Sequence, residues 1–280
     1  MTRKITLQHM GQFEAHLVER ERGPGTVDKY LRDVRAFARW TEGRPVTREL
    51  AAAWKADLLA RGYAPATVNS MLAALNGLLA FLGWKDCRVR FLKVQRALFR
   101  SDSRELTREE YQRLTDTAQR LGKERLALVM EAMCATGIRV SEVRYLTVEA
   151  ARQGRAEVRL KGKIRTILIP GKLARKLLKY ARKKGIAAGE IFLTGGGRSL
   201  GRKQIWAEMK ALCRKAGVEA TKVFPHNLRH LFARCFYRAT RDVARLADVL
   251  GHSSIDTTRI YLISTGAEHR QKLGRLGLVS

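Results

Sequence analysis

Long apolar runs are absent from the 280 residues. None approaches the roughly 20 consecutive apolar residues that a helix needs to cross a bilayer. The opening stretch, MTRKITLQHMGQFEAH, also lacks the apolar core of a secretory signal, so the expectation is a cytoplasmic protein with no membrane partner. Cysteine is sparse as well: Cys87, Cys134, Cys213 and Cys235 are scattered without a CxxC pair. That spacing argues against a zinc ribbon or a disulfide framework and for packed, reduced thiols. Carboxylates are the third shortage, 26 Asp and Glu against 55 Lys and Arg, which gives a formal charge of +29 and a pI near 10.8. The surplus is spread over both halves of the chain rather than confined to a tail, and it points to a polyanionic partner, nucleic acid before anionic membrane.

Apolar residues are not in short supply. At 45% of the chain, with 29% charged, they suffice for folded structure, and the length favours two domains. From Leu7 to about Lys93 the pattern is helical throughout. LQHMGQFEAHLVER, TVDKYLRDVRAFARWTEG, TRELAAAWKADLLARG and APATVNSMLAALNGLLAFLGW read as four short helices of a compact bundle. The second is expected to start after Gly23-Pro24-Gly25, and the third to be capped by Thr47 and Gly62. Periodicity lapses over KVQRALFRSDSREL, which places a linker at 96–105 between a domain at 1–95 and another at 106–280.

The second region restarts as a helix at TREEYQRLTDTAQRLG, where Thr107 and Glu110 have capping-box spacing. Another helix from Arg125 to Cys134 leads to ATGIRVSEVRYL. AEVRLKGKIRTILIP then alternates on both sides of Lys161-Gly162-Lys163, as a β-hairpin does, and EIFLT is a candidate third strand. From Lys203 onward KQIWAEMKALCRKAG, HNLRHLFARCFYRAT and RDVARLADVLG read as helices, followed by a last short segment that carries Tyr261. The fold class expected is mainly α with a small antiparallel β-sheet.

Certain polar residues interrupt these amphipathic patterns. Arg139 and Glu142 share i, i+3 spacing, which places both on one face of a helix beginning at ATGIRVSE. His226 and Arg229 repeat the spacing just after Pro225. His252 follows Gly251, a helix C-cap, and Ser253, Ser254 and Thr257 are available to cap the next helix, which ends near Tyr261. Singly, each has a bland reading: a lone tyrosine or histidine is usually a packed residue, and an arginine on a basic protein is usually a solvated or phosphate-contacting charge.

Their order is more informative. Arg139, a hairpin lysine, His226-x-x-Arg229, LGHSS with His252, and then Tyr261 make a succession that strongly resembles the tyrosine recombinase, or phage-integrase, family. ATGIRVSE and LGHSSIDTTRIY lie close to the family's wording. The likeness spans essentially the whole chain, since the N-terminal bundle resembles the family's SAM-like core-binding domain and the remainder its catalytic domain. One departure is the hairpin, KGKIR here, one residue shorter than the family's Lys-Gly-x-Lys-x-Arg.

The resemblance implies a site-specific DNA recombinase in which Tyr261 attacks a phosphodiester and forms a 3′-phosphotyrosine link. Attack on that anion builds charge on its non-bridging oxygens, a need that planar guanidinium groups meet better than lysine does. Arg139 and Arg229 are the expected clamp. His226 is expected to take the phenol proton or stabilise the phosphate, His252 to donate a further hydrogen bond, and Lys161 to protonate the leaving 5′-oxygen, with Lys163 as the alternative. Glu142 is expected to orient Arg139 rather than to react. No cofactor is implied, and no carboxylate or His/Cys cluster has metal-holding spacing.

Expected partners are double-stranded DNA, further copies of the chain in a homotetramer on DNA, and an accessory DNA-bending or directionality factor. The apolar strip Leu273, Leu276, Leu278 and Val279 is the segment expected to dock on a neighbouring subunit. The chain begins directly with the core-binding domain, which is expected to leave no room for an arm-binding domain before it. Integration or excision of a mobile element is favoured by the wording after Tyr261. Alternatives are Xer-like resolution of chromosome or plasmid dimers, relaxation of the type IB topoisomerase kind, and a DNA-binding protein that is catalytically silent.

Overall fold

The computed structural model describes residues 3–94, 104–160, 163–252, 254–261 and 274–275, without the side chains of 160 and 163. The chain divides into two compact units, Met1–Arg96 and Ala97–Ser280. The first contains α1 (Leu7–Glu19), α2 (Pro24–Thr41), α3 (Arg48–Ala60) and α4 (Pro65–Phe81). Thr6 and Thr47 cap α1 and α3 by accepting from the backbone N–H of His9 and Leu50. Pro24 and Pro65 occupy the first helical position, where the missing N–H would have had no partner. α2 therefore begins at Pro24, inside the Gly23-Pro24-Gly25 stretch rather than after it.

Phe37, Trp54, Leu72 and Leu75 form part of the core of this bundle. Two amides on α4 fasten the extended chain that follows. Asn76 donates to the Val89 carbonyl at 2.9 Å and accepts from the Val89 N–H at 3.1 Å. Asn69 does the same for Leu92, at 2.9 and 2.7 Å. Side chains thus supply the pairing that a neighbouring strand would otherwise give.

The second unit is built on α5 (Arg108–Arg120), α6 (Glu124–Thr136), α7 (Val148–Gln153), the strands β1 (Arg155–Leu160) and β2 (Lys163–Leu168), α8 (Gly171–Lys183), α9 (Arg202–Ala216), α10 (Pro225–Thr240), α11 (Val243–Leu250) and α12 (Ile255–Arg259). The capping box at Thr107 and Glu110 forms as its spacing predicts. Along α6, Leu126 to Met130, Ala132 and Met133 are all buried. A helix buried along so much of its surface belongs near the centre, and α5, α8, α9 and α10 pack around it. Asn227 and Arg234 of α10 hold the carbonyls of Arg104 and Leu106 at 2.7 and 2.6 Å, and Arg234 also pairs with Glu105. The end of the expected 96–105 linker is therefore tied to α10, while residues 95–103 lie outside the described residues.

β1 and β2 form the expected antiparallel hairpin, with Val158 opposite Arg165. EIFLT does not add a third strand: the described sheet has two, and this segment makes only the isolated bridges Thr147 to Glu190 and Leu193 to Ser199. Its neighbours Ile191 and Phe192 are both buried, whereas a strand on one face of a sheet would alternate. The segment before it, for which no element is anticipated, is α8, whose buried Leu173, Leu177, Tyr180 and Ala181 repeat at helical spacing. Arg139 and Glu142 do not share an α-helix either. Arg139 is the extended N-cap of a 3-10 helix, Val140–Tyr145. The Lys161-Gly162 turn and the strip Leu273, Leu276, Leu278 and Val279 lie outside the described residues. No helix among the described residues is long and apolar enough to cross a membrane.

Gly137 closes α6 in the left-handed region, at φ 65°. A Cβ there would come within 2.4 Å of the Phe232 ring on α10, so the close approach of the α6 terminus to α10 requires glycine twice over. Gly137→Ala is expected to destabilise the second unit by about 2–4 kcal/mol from left-handed strain and overpacking together. Gly154→Ala, also at positive φ but with no atom nearer than 3.9 Å, should cost about 1–2 kcal/mol. Urea titration of the two variants checks this, and equal losses would show that the approach to α10 does not constrain the fold.

Candidate active site

The C-termini of α6 and α11 converge on one side chain. Arg229, in the second turn of α10, is 1% exposed. It donates to the carbonyl of Gly137, just past α6, and at 2.7 Å to that of Leu250, the last residue of α11. Terminal helix carbonyls have no partner within their helix and carry the negative end of its dipole, so they suit a buried cation. The Arg229 guanidinium also lies 2.9 Å from His252 Nε2, with Tyr261 close enough to act on its charge. No carboxylate is among these partners. Burial, then the nearby Arg139 charge, push the Arg229 pKa down to about 10, against the raising effect of Tyr261.

Arg139 approaches from the turn after Gly137. Its own N–H and its guanidinium reach the two oxygens of Glu142, at 2.7 and 2.9 Å. The oxygen that accepts from the Arg139 N–H, Oε2, also takes a charge-assisted bond from Arg165 of β2. Glu142 is 2% exposed. Burial works to raise its carboxyl pKa, but the bonds from Arg165 and from the Arg139 backbone and side chain outweigh that and hold it below the ordinary carboxylate range.

His226 begins α10, and four residues on, one turn along the same face, comes His230. Their rings meet edge to face at 4.5 Å. His230 meets the Tyr261 ring the same way at 4.6 Å, and His252 stacks near-parallel to Tyr261 at 5.8 Å. Tyr261 itself is 4% exposed. It follows α12, which Ser254 caps, and its N–H is held by the Thr258 carbonyl at 3.0 Å. Ser253, the other candidate cap, lies outside the described residues. His252 Nδ1 lies 2.8 Å from the Thr258 hydroxyl. Because a guanidinium can only donate, His252 Nε2 must accept from Arg229, which puts the ring proton on Nδ1 and makes Thr258 Oγ1 its acceptor.

That assignment requires a neutral ring, and the surroundings enforce one. Burial first, and then the charges of Arg229, Arg139 and Arg165, push the His252 pKa down to about 4. His226 is lowered for the same reasons, by burial and then by Arg229 and Arg139.

Of the residues singled out in the sequence, Arg139, His226, Arg229, His252 and Tyr261 meet in this one cluster. Lys161 lies outside the described residues, and the side chain of Lys163 is also undescribed although its backbone begins β2. Two further members of the cluster, Arg165 and His230, were not singled out. His230 could have been found from its i+4 spacing to His226, and Arg165 from being a charge on the inward side of a hairpin, in step with buried Ile167.

Residues 104–268 match the model described as the phage integrase family, and 10–86 match its N-terminal SAM-like domain. The chain belongs to the phage integrase family. Its fold is that family's, a SAM-like helical domain followed by a mostly helical catalytic domain with a small antiparallel hairpin, and it is an enzyme of the tyrosine recombinase type, which breaks and rejoins DNA. It is 29% identical to tyrosine recombinase XerA of Pyrococcus furiosus, across 96% of this chain and 93% of that protein. It is 32% identical to tyrosine recombinase XerC of Roseiflexus castenholzii, across 89% of this chain and 86% of that one. Among solved structures, a lambda integrase dimer bound to a COC′ core site matches with a TM-score of 0.73 at 20% identity, over 93% of this chain and 78% of that one.

The histidine state of this family member is open to direct measurement. With a folded pKa near 4 against an ordinary value of 6.5, the unfolded chain binds the His252 proton first as pH falls. Stability is therefore complete above about pH 6.5 and declines toward pH 4, by about 1–3 kcal/mol from this group. A ring NMR titration should show His252 still neutral at pH 6, and His252→Gln should flatten the acid side of the stability profile. Titration of His252 near 6.5 would contradict the electrostatic picture.

Proposed function

We propose that this enzyme cuts and rejoins duplex DNA at a specific site through a 3′-phosphotyrosine intermediate, with Tyr261 as nucleophile. The observation that carries the reading is Arg229, a buried guanidinium held by helix-terminal carbonyls, beside a tyrosine and with no carboxylate among its partners in the described residues. A buried cation left without a counterion is costly, and a bound phosphate supplies one. Arg139 provides a second guanidinium with its side chain 41% exposed, and it spends one nitrogen on Glu142.

In the proposed step the Tyr261 oxygen bonds to phosphorus as its proton passes to a base, for which His226 is the candidate. Arg139 and Arg229 neutralise charge gathering on the non-bridging oxygens. The bond from phosphorus to the 5′-oxygen breaks, and that oxygen takes a proton from the hairpin lysine, Lys161 or Lys163. A second 5′-hydroxyl then attacks the phosphotyrosine and reverses each transfer, so bond energy is conserved and no nucleotide triphosphate is consumed. In the DNA-free geometry His252 Nε2 accepts from Arg229. An incoming anion takes over the hydrogen bond from the guanidinium, which keeps its proton; the ring proton shifts from Nδ1 to Nε2, Thr258 Oγ1 then donates to Nδ1, and Nε2–H donates to the phosphate.

The two compact units are proposed to bind the same duplex, as a core-binding domain of about residues 1–95 and a catalytic domain of about 106–280. The high positive charge supplies phosphate contacts that position rather than specify. Exchange between two duplexes calls for four copies, and the C-terminal strip is the proposed subunit contact. Integration or excision of a mobile element is the biological role proposed from the sequence beyond Tyr261. Likeness to XerA and XerC across nearly the whole chain favours a second reading, resolution of chromosome or plasmid dimers. Reaction in vitro between two short duplexes carrying the same recovered site would separate both from simple relaxation.

Incubated in EDTA with nicked duplexes drawn from a genomic library, the wild-type protein is expected to give a covalent protein–DNA band and Tyr261→Phe none. Sequencing the trapped DNA would identify the site. An adduct of equal yield from Tyr261→Phe, or a wild-type protein that binds the duplexes and never links to them, would overturn the nucleophile assignment.

A further inference from the structure

Arg165 takes no part in the chemistry proposed above, yet it touches two of the segments that supply it, the 3-10 helix of Glu142 and the C-terminus of α11. It lies on β2, two residues into the strand, with its side chain 13% exposed. One end of its guanidinium pairs with Glu142 and the other donates to the Val249 carbonyl of α11 at 3.1 Å. Its aliphatic stem lies against Gly251, where a Cβ would come within 2.5 Å of Arg165 Cδ. At φ 64° and with this side chain across it, position 251 is closed to any other residue without displacement of Arg165.

We propose that Arg165 is a positioning residue for the phosphate clamp. Glu142 is a single buried carboxylate reached by both Arg139 and Arg165. With Arg165 in place, its negative charge is divided, and Arg139 keeps its remaining donors and most of its charge for the phosphate. Without Arg165, the whole carboxylate faces Arg139. An Arg–carboxylate pair then tends toward a bidentate grip, which turns the guanidinium inward and cancels its charge. The same loss frees the Val249 carbonyl beside Leu250, whose own carbonyl holds Arg229. Arg165 thereby couples both clamp arginines through the C-terminus of α11. Lysine is not an adequate substitute, because one ammonium on a flexible stem cannot span Glu142 and Val249 in the fixed geometry of a guanidinium.

This rests on the reading that Arg139 and Arg229 neutralise a scissile phosphate, and the experiment keeps the two claims apart. The substrate is the nicked duplex sequence recovered from wild-type adducts, prepared with an ordinary scissile phosphate and with a methylphosphonate, which lacks the non-bridging negative charge. On the ordinary phosphate, Arg165→Met and the milder Arg165→Lys are expected to lose ~10²–10³-fold in single-turnover cleavage, the scale of one misplaced transition-state donor. Duplex affinity should stay within about threefold, since the phosphate contacts along the duplex are untouched. On the methylphosphonate, Arg139→Ala and both Arg165 variants should recover most of the lost rate relative to wild type. Recovery by Arg139→Ala without recovery by either Arg165 variant would overturn the positioning role and leave a merely structural one. Failure of Arg139→Ala to recover would overturn the clamp itself, and wild-type cleavage of the ordinary phosphate by Arg165→Met would sink the role outright.

Discussion

A guanidinium enclosed by protein and held by main-chain carbonyls is the constraint around which the catalytic unit is arranged. Arg229 is compensated by the ends of two helices rather than by a carboxylate. Helix-terminal carbonyls carry only partial charge, so they fix the guanidinium without cancelling it. A carboxylate in the same place would have fixed it and quenched it. Everything close to Arg229 follows from that choice. Gly137 must be glycine so that α6 can end against α10 and present its carbonyl, and α11 must end at Gly251 so that Leu250 and Val249 face the two arginines.

The surplus of positive charge also sets the state of the neighbouring rings. Arg139 and Arg165 share one carboxylate, Glu142, while burial first, and then the charges of Arg229 and Arg139, lower the proton affinity of His226 and His252. The result is a pocket of fixed cations and a neutral His252, with Tyr261 packed between His230 and His252. Such a pocket sets three guanidinium charges against one carboxylate, and a phosphodiester arriving beside Arg229 supplies the counterion that its burial calls for.

How much of this was legible in the sequence depended on whether the signal was local. Helix starts written in one or two residues, such as Thr47 and the Thr107–Glu110 box, can be read directly, because a cap is a short-range hydrogen bond. The residues Arg139, His226, Arg229, His252 and Tyr261 were legible as an ordered set, and four of the five are placed by a helix end. Arg139 was assigned to an α-helix because i, i+3 spacing suits a 3-10 cap equally well. EIFLT reads as a strand from sequence because its short apolar run, Ile191 to Leu193, fits both an edge strand and a buried loop, and only the packing of Ile191 beside Phe192 distinguishes them. The segment that forms α8 drew no reading, although its apolar residues keep helical spacing. Arg165 could not be paired with Glu142 from sequence, since that contact depends on where the hairpin folds back over the 3-10 helix.

The central claim is that these groups are a ready-made seat for one DNA phosphate. It is tested most directly by a crystal structure of Tyr261→Phe bound to a duplex carrying the recovered site. The scissile phosphate is expected in contact with Arg139, Arg229 and His252, its non-bridging oxygens about 3 Å from both guanidinium groups, and the residue 261 ring in line with the 5′-oxygen. A duplex that binds with its nearest phosphate outside this cluster, or with Arg229 still closed onto protein groups alone, would contradict it.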